Sequence, residues 1–175
     1  LVIYDDKNRQ RSDSFRTMYH EGFHQYIFYR CGEISPHSWY NEGSGDFYSG
    51  YQYGKNKKFV LKTFDWRVQL VKDMLRESKP GLPAYVPFKK MVRYTQPEYY
   101  APGSVGNNYA QGWAMIYFMR TAPGKCRCWN PAWNTILPTY LEVLATTGDL
   151  DQAVDRAFAG ADWDALQACW EEYMD

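Results

Sequence analysis

Long apolar runs are missing from this 175-residue sequence. None approaches the ~20 consecutive residues that a membrane-spanning helix needs, so no transmembrane segment is expected. Net charge is missing too. Twenty Lys and Arg balance twenty Asp and Glu, which removes the electrostatic case for nucleic acid or an anionic membrane surface as a partner. The sequence carries no internal repeat and no low-complexity tract. Cysteine is limited to Cys31, Cys126, Cys128 and Cys169. Cys126 and Cys128 stand too close for an easy mutual disulfide. They lack the second close pair that a zinc knuckle wants. One or two disulfides and four free thiols both remain open.

What is present is globular. An apolar content of 45% with 23% charged residues excludes disorder and suits one domain with a real core. Aromatics reach 18%, with 16 Tyr among them, enough to line a cleft or thicken a core. The chain is read as a single domain over 1–175. It starts at Leu1 rather than Met, which suggests a piece of a longer protein.

Hydrophobic spacing and punctuation predict a mainly α fold with at most a small sheet at the front. Leu1 to Tyr4 reads as an edge strand. A helix is expected from Ser12 or Asp13 to Cys31, with Gly32 as its stop and Phe15, Met18, Phe23, Tyr26 and Ile27 as its buried stripe. A second helix should run from Ser38 to about Tyr51, and 54–58 should be a solvated loop. Further helices are expected over 64–77, around 88–94, over 107–120, and at about 133–145, 150–159 and 163–173. Gly148-Asp149 and Gly160-Ala161-Asp162 punctuate the last three.

One stretch carries chemistry. His20-Glu21-Gly22-Phe23-His24 is a His-Glu-x-x-His motif inside the first helix. Two histidines four residues apart share a helix face, the spacing at which two imidazoles grip one metal ion. Glu21 stands beside them, placed to take a proton from a water that the metal has acidified. The motif alone is only moderately specific, since a helix with two ordinary histidines would match it. The next helix adds weight. Glu42 follows His24 by eighteen positions, and a carboxylate from a neighbouring antiparallel helix is a good third ligand. Asp46, one turn further on, can hold the outer nitrogen of a ligating histidine.

His-Glu-x-x-His followed by Asn41-Glu42-Gly43 resembles the gluzincin zinc metallopeptidases. Trp39-Tyr40-Asn41-Glu42-Gly43 is similar to the Trp-x-Asn-Glu-Gly segment of the aminopeptidase-N-like branch. Asn41-Glu42 with Asp46 is similar to the thermolysin pattern. The helical remainder, with Tyr109-Ala110-Gln111-Gly112-Trp113-Ala114, most resembles the bacterial peptidase-MA-like group. The resemblance implies a zincin-like helical catalytic domain with zinc as cofactor. His20, His24 and Glu42 would be its ligands and Glu21 its general base, with Asn41 and Asp46 behind the ligands. It also implies a peptide or protein substrate and a tyrosine donor to the developing oxyanion. Tyr99, Tyr100 and Tyr109 are the candidates, with Tyr109 preferred because it stands at a comparable distance after the glutamate. Gluzincins place a sheet before the motif helix, whereas only nineteen residues precede His20 here. The Gly-rich exopeptidase motif of the aminopeptidase branch is not found.

The competing reading is a non-catalytic module that keeps zinc as a staple and binds a peptide or glycan. Glu21 speaks against it, because a structural site needs no base beside the metal. A third is a metallohydrolase acting on another bond. His37 is expected to be a solvated loop histidine, and Trp113 and Tyr117 to be core.

Overall fold

Residues 11–54, 58–78 and 84–175 are described in the computed structural model. The strand expected over Leu1 to Tyr4 lies outside them. Their elements run α1 (Arg11–Arg30), α2 (Ser38–Ser49), β1 (Tyr51–Tyr53), β2 (Phe59–Leu61), α3 (Asp65–Glu77), α4 (Phe88–Met91) and α5 (Gln96–Tyr99). There follow α6 (Val105–Thr121), a 3-10 turn (Pro131–Thr135), α7 (Ile136–Thr147), α8 (Leu150–Ala157) and α9 (Trp163–Met174). The fold is mainly helical, as the spacing predicts.

Punctuation acts where the sequence puts it. Gly148 takes a left-handed backbone (φ 70°) that ends α7, and the Asp149 and Asp162 carboxylates accept the first free N–H groups of α8 and α9. Two elements were not expected. Thr95 and Glu98 form a reciprocal capping box that starts the single turn of α5. The small sheet is an antiparallel hairpin between α2 and α3, pairing Tyr51 with Leu61 and Tyr53 with Phe59. Its strands, of three residues each, are too short for a period-2 pattern to register. Gly54 N donates to Lys58 O at 2.8 Å beside the hairpin, and residues 55–57 of the expected loop lie outside the described residues.

The close pair at the centre is α2 on α6, and glycine permits it. A Cβ on Gly43 would strike the Gly112 carbonyl and sit 2.9 Å from Ile116. A Cβ on Gly112 would lie 2.5 Å from the Tyr99 hydroxyl. Trp39, Tyr99 and Ile116 border this contact, and all three are buried. Polar side chains then tie the Pro-rich connection to α6. Gln111 accepts from Val86 N and donates to Val86 O. Tyr99 and Asn108 exchange bonds with each other's backbone at 2.9 and 2.7 Å. Gly43→Ala and Gly112→Ala should each therefore cost about 1–3 kcal/mol of stability by overpacking. That corresponds to a Tm drop of about 2–4 °C per kcal/mol at this chain length. Thermal unfolding checks it, and an unchanged Tm in both variants would mean the helices separate freely.

The buried stripe of α1 differs from the apolar one expected. Phe15, Met18 and Tyr26 are exposed, Tyr26 by 59%. Ile27 and Cys31 are buried, with Phe23 packed against the core beside them. His20, His24, Ile27 and Cys31 recur at helical spacing, so the stripe against α2 includes both histidines. The polar motif has taken the inner face, and the apolar rings have been turned outward.

Candidate metal centre

His20 and His24 stand one turn apart on α1, and Glu42 and Asp46 one turn apart on α2, so two pairs face each other across the helix contact. Gly45 makes the approach possible, because a Cβ there would come within 3.0 Å of the His20 ring. The His20 and His24 Nε2 atoms are 2.8 Å apart. Glu42 Oε2 is 3.3 Å from the first and 3.5 Å from the second. Ligands bonded to one zinc at about 2.0–2.1 Å in a tetrahedron would be separated by about 3.3 Å.

The outer nitrogens decide which way the protons point. His20 Nδ1 is 3.1 Å from Asp46 Oδ1, and His24 Nδ1 is 2.9 Å from Asn41 Oδ1. Both partners are acceptors, so both Nδ1 atoms donate and both Nε2 atoms turn lone pairs inward. Two imidazole lone pairs and a carboxylate oxygen thus converge on one point. Such a donor set needs a positive charge at its centre, and a metal ion fits it.

Without a cation at the centre, a proton on an inward Nε2 meets the same demand for positive charge, and the pKa shifts follow from it. Burial opposes charge on His20, but hydrogen bonds to Asp46 and Glu42 outweigh it and raise its pKa to about 9. His24 is raised against burial by Glu42 and Asn41. Burial alone would push the Glu42 carboxyl up. Hydrogen bonds from His20, His24 and Tyr100 instead hold it far below the usual carboxylate range.

The structure thus brings His20, His24 and Glu42 together, with Asn41 behind one histidine and Asp46 behind the other. Glu21 faces an adjacent cleft of about 330 Å³ whose walls include His20, Asp46, Arg67 and Tyr109. Its carboxylate has no hydrogen-bond or ion-pair partner among the described residues. Tyr109 enters the cleft from α6. Burial, then the charge of Glu42 and the neighbouring Tyr100, raise its phenol's pKa so that it keeps its proton.

Arg67 had no sequence signal of its own, and Tyr100 was expected only as an alternative donor to the oxyanion. Tyr100, just after α5, donates to Glu42 Oε1 at 2.6 Å. Burial and that bond push its pKa up to about 12. Arg67 on α3 forms an ion pair with Asp46 Oδ2 and lies over the rings of Phe64 and Trp66. Tyr99 is core, with its hydroxyl spent on Asn108 O. His37 corrects the expectation of a solvated loop residue. It is 9% exposed, and its backbone N and Nδ1 both meet the Tyr140 hydroxyl, at 2.9 and 3.0 Å. Burial lowers its pKa, because this turn into α2 is packed under α7 rather than left in water.

Comparison with protein families gives a match to DUF1570, described as a protein of unknown function, over residues 14–125. That span takes in the two histidines, Glu21, Asn41, Glu42, Asp46, Arg67, Tyr100 and Tyr109. Comparison with curated proteins and with solved structures gives no match.

Proposed function

We propose that this chain, which belongs to the DUF1570 family, is a zinc-dependent hydrolase of peptide bonds whose site is laid out like that of the gluzincins. The observation that carries the reading is the convergence of His20 Nε2, His24 Nε2 and Glu42 Oε2 beside the Glu21 carboxylate, which has no partner among the described residues, in a cleft. A purely structural site would need the first of these and not the second.

His20, His24 and Glu42 would hold the ion, with Asp46 and Asn41 fixing the tautomers that aim the imidazoles. A zinc ion held there would supply a Lewis acid to polarise the carbonyl and acidify a water. Glu21 takes the proton of the attacking water and hands it to the leaving amine. Tyr109, protonated and facing the same cleft, donates a hydrogen bond to the oxygen on which charge develops. Tyr100 has a different task, since its proton is committed to Glu42. It steadies the carboxylate rather than the substrate.

The test is hydrolysis of a broad peptide library by the purified chain. Removal of zinc by a chelator should end it, and added zinc should restore it. A chain that holds zinc yet cleaves nothing would instead support a binding module. The two tyrosines separate within the same assay. Tyr109→Phe should lower kcat by ~10²–10³ with zinc retained. Tyr100→Phe should weaken zinc binding by about 10–100-fold. Equal effects of the two on zinc alone would remove Tyr109 from the chemistry.

A further inference from the structure

Three of the four cysteines meet in space, although Cys169 lies 43 and 41 positions from the other two. Cys126 and Cys128 come from the loop after α6 and Cys169 from α9, and their Sγ atoms all lie within 4.8 Å of one another. Cys128 and Cys169 are joined in a disulfide. Cys126 keeps its thiol, 2.7 Å from Cys128 Sγ and 3.9 Å from Cys169 Sγ. A disulfide occupies two sulfurs and leaves the third with nothing to do, although the fold has carried it to the same place.

The positions of these sulfurs do not depend on the disulfide alone. The loop is folded by its own backbone, with Lys125 N and Cys126 N both donating to Ala122 O and Trp129 N donating to Cys126 O. Trp129 pins it edge-on against Phe118 and Trp133, at 5.2 and 5.4 Å between ring centroids. Cys169 is buried in α9. Three thiolates sharing one cation at Zn–S bonds of about 2.3 Å sit about 3.7–3.8 Å apart. The Cys126–Cys169 separation of 3.9 Å already matches that spacing.

We propose that Cys126, Cys128 and Cys169 form, in the reduced chain, a second metal site for one thiophilic d10 cation, separate from the His20, His24 and Glu42 centre. A thiol reductant delivers two electrons and two protons to the Cys128–Cys169 bond and is itself oxidised to a disulfide. The three thiols that result release three protons as a divalent cation binds. The product carries one net negative charge, which Lys125 and Arg127 on the same exposed loop offset. Cys126 is only partly buried, so water can complete the coordination. Oxidised, the same triad is the disulfide with its neighbouring thiol. The inference does not rest on the hydrolase reading.

The experiment is a cadmium titration of the reduced chain, read by thiolate-to-cadmium charge-transfer absorbance in the ultraviolet and by helical circular dichroism. That band reports sulfur ligands only, so it is blind to the histidine centre. One equivalent of cadmium should saturate it at the intensity of three thiolates. A chain carrying both His20→Ala and His24→Ala should give the same band, and so should Cys31→Ser. Cys126→Ser keeps the oxidised disulfide, so it folds on the same framework. Reduced, it should lose about a third of the band and bind cadmium at least about 100-fold more weakly, a larger loss than that of a supporting group. Absence of the band, or an unchanged band in Cys126→Ser, overturns the proposal. So does a reduced chain that loses its helical signal and does not regain it with cadmium.

Discussion

Glu21→Gln is expected to lower peptide hydrolysis by ~10²–10⁴-fold while leaving zinc content and unfolding temperature unchanged. The size is that of lost general acid–base assistance. The selectivity follows from where Glu21 sits. Its carboxylate makes no hydrogen bond or ion pair with the described residues, so the amide breaks no existing contact. A substitution of that kind stays within about 0.5 kcal/mol in stability. The shape of the cleft wall is kept, and only the capacity to take a proton at neutral pH is lost. Parallel measurement of kcat, bound zinc and Tm checks all three parts. A variant that hydrolyses at the parent rate would remove Glu21 from the mechanism, and one that loses zinc would make it a ligand.

Glu42→Ala should empty the site, and Asp46→Asn should only weaken it. Glu42 supplies one of three converging donors. Its loss leaves two imidazoles, which cannot make the three-ligand set that zinc sites require. Asp46 acts one bond further out, on His20 Nδ1, and losing such a partner costs about 10–100-fold in metal affinity. Asparagine is the appropriate replacement. It keeps an acceptor for the Nδ1 proton, although it leaves the Arg67 guanidinium, 11% exposed, without its counter-charge. Breaking a buried ion pair from one side costs about 3–5 kcal/mol, so the Tm of Asp46→Asn is measured beside its zinc content to separate unfolding from metal loss. Metal analysis after dialysis should show no bound zinc in Glu42→Ala and a reduced but measurable amount in Asp46→Asn. The reverse order would exchange the roles of the two carboxylates.

Much of this site could be read along the chain because its core is local. Two imidazoles at positions i and i+4 of a helix must share a face, whatever the helix packs on. Glu42 and Asp46 obey the same rule on α2. The ends of α7, α8 and α9 were equally legible, since Gly148, Asp149 and Asp162 act on backbone groups within three or four residues of themselves. The mainly helical class followed from the sum of such short-range preferences.

Only the tertiary structure settled which surfaces meet. Periodicity proposed Phe15, Met18 and Tyr26 as the inner face of α1. Packing against α2, with Gly45 leaving room for an imidazole, turned His20 and His24 inward instead. His37 left the solvent because α7, about a hundred residues later, brings Tyr140 over it. Tyr100 reaches Glu42 across 58 positions and Arg67 reaches Asp46 from α3. Cys169 joins Cys126 and Cys128 from 43 and 41 positions away. A residue's sequence neighbours constrain its backbone and the face of its own helix. Its partners across the core depend on how whole helices are oriented, through close approaches such as Gly43 on Gly112, and no single segment contains that information.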